Sequence, residues 1–438
     1  MAEWKPIDEL FDFEKGSLQS SKCTPGKYTF VTAAEEWKTH ESYIHDSEAL
    51  IFAMAASGSL GRTHYIRGKF IASDLCFILT PKKGLRLDLT FYYRLFNFLR
   101  SDIVKKTATG TSKLAINQTN FGAYKLPYFD YDHQLIFRDK IEKIKDISEK
   151  FSLGLDDQLI LLKKLRQAVL QDAIEGKLTS DWRKKNPKLI SGDNHASKLF
   201  EKIKAEKAQL LKEGKIKKQK SILHTSIAEK PFDLPSGWVW SMFDDIKALK
   251  DNSLKAGPFG SSLKKDCYVI DGHYKIYGQE QVIANDPYIG NYYIDEKKFN
   301  ELKSCKVKPG DILISLVGTI GKLLILPDDI KPGIINPRLI KISLYPSINR
   351  IFISLLFKSP FVIDSIKSMA HGGFMDVINL GMLKELIFPL PPITEQHAIV
   401  ERVDKLMAMI DELEKQVTER KDKSERLMQS VLREAFSQ

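Results

Sequence analysis

Apolar positions along the chain fall into two patterns, and each pattern occurs twice. Near the C-terminal end, Ile399, Val403, Leu406, Ile410, Leu413 and Val417 alternate by fours and threes, and Leu427 and Val431 extend the row past polar Arg420 and Ser424. Such a row is the heptad seam of a helix lying along another helix. Phe137, Ile141, Ile144, Leu155, Leu162 and Leu165 hold the same register in an earlier segment. The later helix follows Pro391-Pro392, with Thr394 placed to cap it and Glu395 to favour its N-terminus. Each helix of roughly 40 residues would be about 60 Å long. The second pattern is the short apolar run bounded by Pro and Gly. Lys308-Pro309-Gly310-Asp311 is a turn feeding the strand Ile312-Leu313-Ile314-Ser315, and Leu323–Leu326 and Leu339–Ile342 are further strands. Residues 351–366 suit a short amphipathic helix.

The duplication is a repeat in register. Ile116-Asn117, Pro127, Gln134, Lys143 and Leu165 lie 262 residues before Ile378-Asn379, Pro389, Gln396, Lys405 and Leu427. Upstream the match continues with small shifts. Ala49–Phe52 lies opposite Asp311–Ile314, Gly58–Gly61 opposite Gly318–Gly321, and Trp4 answers Trp240. The expected fold is α+β: two α/β domains in pseudo-twofold repeat, with two long antiparallel helices forming a coiled coil between them. The expected division is a first domain at 1–130, a long helix at 131–176, a lysine-rich connector at 177–232 containing a helix near 196–212, a second domain at 233–392 and a second long helix at 393–438.

Composition narrows the function. Hydrophobic residues make up 43% of the 438 and charged residues 28%, as in soluble globular proteins. No apolar run reaches the length of a membrane helix, and Met1–Lys5 carries no apolar leader, so a cytoplasmic protein without membrane contact is expected. The four cysteines are scattered, which suits free thiols. A net charge of +11 favours a polyanionic partner, nucleic acid first.

Catalytic motifs are missing where they would be looked for. Asn285-Asp286-Pro287-Tyr288 has one proline where an amino-methyltransferase loop needs two, and reads as a turn. Gly318 and Gly321 lie between strands, unlike a dinucleotide loop. Glu296-Lys297-Lys298 has a nuclease-like spacing, but its Pro327-Asp328 partner is on the wrong side. The nine histidines form no metal pair. Any catalysis is therefore expected on another chain, and no cofactor on this one. What remains is binding. Gly257-Pro258-Phe259-Gly260-Ser261-Ser262-Leu263-Lys264-Lys265 is a small-residue loop that would let backbone N–H groups and lysines approach phosphates. Gln279 and Gln281 follow a strand and could read adenine. The loop at His371 is answered in the first copy by Thr109, Thr111 and Lys113.

Taken together, these residues resemble the specificity subunits of type I restriction–modification systems. The resemblance rests on Leu234-Pro235-Ser236-Gly237-Trp238, Gly257 through Lys265, Lys308–Leu313 with Val317–Gly321, Ile334–Arg338, Pro389–Gln396, and the central stretches Leu178–Arg183 and Ala196–Lys220. It implies two target-recognition domains that each read half of a split sequence in double-stranded DNA, and a pair of helices acting as a ruler. It also implies two modification (methyltransferase) subunits and two restriction subunits as partners, with S-adenosylmethionine, ATP and Mg bound by those partners. Transferred to the turns of each copy, it makes Lys15, Ser17, Ser59 and Arg62 candidate DNA contacts in the first domain, and Lys255, Thr319, Lys322 and Arg338 in the second. The first domain departs from the pattern, with Phe13-Glu14-Lys15-Gly16-Ser17 in place of Gly-Pro-Phe-Gly. The competing reading is a coiled-coil assembly scaffold that does not read DNA.

Overall fold

The computed structural model describes residues 3–55, 58–110, 114–216, 231–316, 322–369 and 379–437, with side chains described as far as residue 431. The chain packs as two units, Met1–Gln158 with Gln416–Gln438, and Leu159–Lys415.

In the first unit the strands are β1 (Glu3–Pro6), β2 (Phe11–Lys15), β3 (Tyr28–Val31), β4 (Lys38–His40), β5 (His45–Ala53), β6 (Thr63–Ala72), β7 (Cys76–Pro81), β8 (Ala108–Thr109), β9 (Ala115–Ile116) and β10 (Lys125–Tyr128). Its helices are α1 (Ile7–Leu10), α2 (Leu89–Phe98), α3 (Arg100–Thr107), α4 (Gln118–Ala123) and the first part of α5 (Tyr131–Ile174). The main sheet runs β2-β7-β5-β6-β3-β4, with β3 parallel to β6. The Ala49–Ala53 run is buried on both faces, so its apolar residues need no alternation. Phe52, Phe77 and Phe96 pack around Phe121 of α4, at 4.2, 5.8 and 6.0 Å between ring centroids. Burial of each such ring contributes about 2 kcal/mol.

The second unit opens with the end of α5, then α6 (Ser180–Lys185) and α7 (Ala196–Lys212). Its strands are β11 (Val239–Met242), β12 (Leu254–Ala256), β13 (Tyr274–Tyr277), β14 (Tyr293–Ile294), β15 (Ile312–Ser315), β16 (Leu323–Ile325), β17 (Gly333–Ile335), β18 (Leu339–Ile342) and β19 (Ile387–Leu390). The remaining helices are α8 (Phe243–Ile246), α9 (Gln279–Ala284), α10 (Glu296–Glu301), α11 (Arg350–Lys358), α12 (Pro360–Met369), α13 (Leu380–Glu385) and α14 (Ile393–Ser437). Two sheets form here, β12-β18-β15-β16 and β14-β13-β17, with β13 parallel to β17. If β16 and β17 are taken as the halves of one strand, the order matches the first unit strand for strand. The break falls between Pro327 and Pro332, residues that cannot donate to a ladder. Both units also carry a small clamp in the same register. Trp4 lies opposite Pro127 where β1 meets β10, and Trp240 opposite Pro389 where β11 meets β19.

α14 begins at a buried lock. Glu395 is 0% exposed and accepts hydrogen bonds from Thr179 Oγ1 (2.6 Å), Arg183 Nη1 (2.5 Å) and Trp238 Nε1 (2.8 Å). The Thr394 hydroxyl does not cap the helix as expected. It donates to the Leu189 carbonyl at 2.9 Å, because the connector passes close by.

Within each unit a stretch of α5 lies antiparallel to a stretch of α14. In the first, Lys421 donates to Asp156 at 2.7 Å, and Ile144 and Ser148 share a groove with Leu427 and Val431. In the second, Arg166 pairs with Asp411 and, at 2.6 Å, with Glu414. Most of the expected seam is in place. Ile141, Leu155, Ile399, Val403, Ile410 and Val417 are buried, and Phe137, Ile144, Leu162, Leu406 and Val431 are half-buried. Three positions are corrected by one residue. Leu165, Leu413 and Leu427 are 45, 46 and 65% exposed, and the inward positions belong to Arg166, Glu414 and Met428. One residue turns a helix by about 100°, so apolar neighbours of a charged seam row point outward. Arg166 and Glu414 can occupy the row because each satisfies the other.

Candidate nucleic-acid interface

In the second unit, polar side chains gather at the end of the sheet where β15 finishes, β13 passes into α9, and β17 turns into β18. Gln279 Nε2 donates to Ser315 Oγ at 2.7 Å, and Arg338 Nη1 donates to Gln279 Oε1 at 3.3 Å. Asn336 holds the turn by accepting from the Arg338 amide at 2.9 Å. The Gln279 amide is thus oriented from both ends beside an exposed guanidinium. Lys322 reaches the Ile283 carbonyl at 3.5 Å on the same side.

The Gly257 loop is fixed against this cluster. Gly257 N donates to the Leu339 carbonyl at 2.8 Å, and a Cβ at Gly257 would lie 1.8 Å from the Asn336 carbonyl oxygen. Leu263 is buried, so the loop is anchored at both ends. Between these anchors Phe259 is 86% exposed, Ser261 is exposed and Ser262 half-buried. Lys264 and Lys265 follow, exposed and in no ion pair among the described residues. Lys255 lies on β12 opposite Lys341 of β18.

One expectation fails here. Gln281 is wholly buried: its Oε1 accepts from Gly278 N at 2.7 Å and its Nε2 donates to the Ile289 carbonyl at 2.9 Å. It ties α9 to the following loop and cannot reach a base. Thr319 and His371 lie outside the described residues, as do Thr111 and Lys113 of the first copy.

The first unit builds the matching end from other side chains. Gly16 follows β2 as Gly257 follows β12. Its amide donates to the carbonyl of Cys76, the first residue of β7, as Gly257 does to the first residue of β18, and a Cβ would meet the Ser73 carbonyl oxygen at 2.1 Å. Lys15 and Ser17, both exposed, therefore stand where the second unit has its Phe259 loop. Arg62 Nη1 donates to Ser59 Oγ (3.4 Å) and the Ala33 carbonyl (3.5 Å), and its Nη2 lies 3.8 Å from Glu35. Among the described residues the Thr109 hydroxyl reaches the Ala115 carbonyl at 3.5 Å. Sequence reasoning missed three residues here. Arg100 clamps the turn through the Leu60 and Gly58 carbonyls at 2.8 and 2.9 Å, and burial lowers its pKa. Trp37, partly exposed, packs edge-on against His64 at 5.5 Å, and burial pulls the His64 pKa down, which favours the neutral ring. None of the three belongs to a motif. Among the described residues no group of three or more His, Cys, Asp or Glu could hold a metal ion, and no helix is long and apolar enough to cross a membrane.

One strand order used twice, with a separate set of polar side chains at the same end of each copy, suits a protein built to recognise two different partners or sites. The chain belongs to the family of the type I restriction modification DNA specificity domain, whose model matches residues 1–145 and 259–420. It is 30% identical to the specificity subunit of the Escherichia coli type I restriction enzyme EcoAI over 280 residues, 62% of this chain and 44% of that protein. It is 24% identical to the EcoDI specificity subunit of E. coli over 444 residues, 99% of this chain and 88% of the relative. The stretch matched in EcoAI is less than half of that subunit's length. Among solved structures, the HsdS subunit from Thermoanaerobacter tengcongensis superposes with a TM-score of 0.52 at 14% identity, covering 99% of this chain and 96% of that one. A chain from a structure concerning assembly and conformational transition of the type I R-M system gives 0.57 at 15% identity, covering 99% and 97%.

Proposed function

We propose that the chain is the DNA-reading subunit of a type I restriction–modification enzyme. It performs no chemistry itself and directs modification and restriction subunits to a split target. Each sheet end reads one half of that target through its own side chains: Arg62, Ser59 and the Trp37–His64 pair in one domain, and Arg338, Gln279 and the Phe259 loop in the other. The observation that carries this reading is the matched strand order with unmatched side chains at the same end. A duplicated frame with divergent tips suits a bipartite site of two unrelated halves. Lys15, Lys264, Lys265 and Lys322 supply phosphate contacts, so affinity falls steeply with salt. S-adenosylmethionine, ATP and Mg belong to the partners, two modification and two restriction subunits working with this chain in the cytoplasm. The half-exposed Phe151 and Leu427 on the helix pair of the first unit offer such partners an apolar contact.

Footprinting of the chain reconstituted with its modification subunits tests the proposal. Two protected blocks flanking an unprotected spacer are expected. Arg62→Ala and Arg338→Ala should each relax discrimination in a different block, by about 1–3 kcal/mol. A single continuous or sequence-independent footprint would sink the proposal and favour the scaffold reading.

A further inference from the structure

The second unit has a cavity of about 500 Å3 that the DNA-reading end does not explain. Ser315 faces Leu339 at the reading end of the β15–β18 ladder, and Ile312 faces Ile342 at the other. The cavity lies at that other end, walled by the turn before β15, the residues after β18, the start of α11 and one side of α7. Its basic lining is out of proportion. Lys308, Lys341 and Arg350 are joined by three exposed lysines, Lys250, Lys303 and Lys306. None of the six is in an ion pair among the described residues.

Two of the three acids nearby are already committed. Asp311 is buried and accepts from Ser343 Oγ at 2.5 Å and from the Lys308 amide at 2.9 Å, and burial raises its pKa. Glu206 of α7 accepts from the Tyr345 hydroxyl at 2.6 Å. The third, Asp251, is exposed at the turn. Lys341 is 5% exposed and among the described residues donates only to the Lys306 carbonyl, and burial lowers its pKa. The Arg350 guanidinium lies against Gly310, where an added Cβ would be 2.2 Å from it, and Gly310 has φ +77°. A side chain at 310 would therefore displace Arg350 from the wall. The fold thus gathers six cations around one concavity lined by three carboxylates, and although Asp311 acts on Lys341 and Lys308, positive charge stays in excess. In a partly enclosed site that charge favours an anion more than it would in open water.

We propose that this cavity binds a free polyphosphate anion, of the class of pyrophosphate or the phosphate tail of a nucleotide. Its volume lies in the range of small-ligand sites. A guanidinium fork with ammonium groups matches several phosphoryl oxygens at once, and so many unpaired cations exceed what a single carboxylate would neutralise. The concave shape and the position away from Gln279 and Arg338 set the site apart from a duplex-reading surface. The proposal does not rest on the DNA-reading function.

Calorimetric titration and thermal-shift measurements on the full chain, without partners or duplex, provide the test. Sodium pyrophosphate and magnesium-free ATP are the probes, with sodium sulfate at matched ionic strength alongside. Saturable binding of pyrophosphate and a rise in Tm that sulfate does not reproduce are expected. Arg350→Gln and Lys308→Gln, both at exposed positions, should each lower the affinity by roughly tenfold or more, the loss of one charge-assisted hydrogen bond, with unchanged circular dichroism. A short duplex added in competition should leave pyrophosphate bound. Absence of saturable binding, equal protection by sulfate, indifference to both substitutions, or displacement by the duplex would each overturn the proposal. A specific DNA footprint with no pyrophosphate binding would remove this site alone.

Discussion

The two recognition domains share a frame and differ at the tips. Gln134 and Gln396, 262 residues apart, are both fully buried and do the same work. Each accepts from the backbone amide of an N-cap residue, Asp88 at 2.8 Å and Asn349 at 2.9 Å, and each donates to a carbonyl five residues back. Asp88 and Asn349 then cap α2 and α11 with their own side chains. Asn117 and Asn379 cap α4 and α13 in the same way. At the polar ends of the sheets the glycine turns still match but the exposed side chains do not: Arg62, between β5 and β6, rests on Ser59, and Arg338, between β17 and β18, rests on Gln279. Residues that satisfy buried backbone groups are held by a cost of about 1–3 kcal/mol when lost. Exposed loop residues carry no such cost and are free to differ.

The largest expected effect breaks the symmetry of the frame itself. Glu395 corresponds by the 262-residue offset to His133, which is largely exposed and pairs with Asp130. Glu395→Ala leaves the mostly buried Arg183 without its ionic partner, and the Thr179 hydroxyl and Trp238 indole without an acceptor, and should cost about 3–5 kcal/mol, whereas His133→Ala should change little. Urea denaturation of the two variants checks this, and equal losses would show that the lock is not specific to the second unit. Next comes the helix seam. Ile410→Asp buries a charge among apolar neighbours and should cost several kcal/mol. Leu427→Asp, at a position the heptad pattern also marks, should be nearly neutral because the side chain is mostly in water. A comparable drop in Tm for both would place Leu427 in a contact made by another chain.

A smaller effect sharpens the likeness. Gln134→Ala and Gln396→Ala should cost similar amounts, about 1–3 kcal/mol each, for one orphaned N-cap amide apiece. Unequal losses would mean that one unit has a second means of holding its cap.

These contrasts also explain what could be read in the chain beforehand. The repeat, the two long helices and the strands at 312–315 and 339–342 were legible because each writes a period or an apolar run. The choice between Leu165 and Arg166 was not. A heptad count favours the apolar neighbour, and only the opposing Asp411 and Glu414, about 245 residues away, make the charged residue fit. Gln281 misled for a related reason, since its role as a buried tie depends on the Ile289 carbonyl in a later loop. Trp37, just before β4, meets His64 of β6 with no local signature, so the polar end of the first domain's sheet stayed hidden where that of the second, marked by its glycine loop and the Asn336-Pro337-Arg338 turn, could be picked out.

The smallest effect distinguishes the two helices by pH. Arg402 of α14 grips Asp181 through both oxygens, at 2.6 and 2.7 Å, and this pairing holds the Asp181 carboxyl down at about 2. The corresponding residue on α5 is Lys140, which leans on Phe137 instead. A carboxyl whose folded pKa lies below its ordinary value stabilises the fold at higher pH and loses that contribution as pH falls through the folded value. For Asp181 the loss runs from roughly pH 4, near the ordinary aspartate value, to about pH 2. The pair is exposed to solvent, so salt screens it and its contribution at neutral pH is small. Asp181→Asn should therefore leave Tm near neutrality almost unchanged while flattening the part of the acid-induced decline that falls in this window. If wild type and variant instead lose stability in parallel through it, Arg402 is not anchored by Asp181, and α6 is held to α14 by the Thr179–Arg183–Glu395 lock alone.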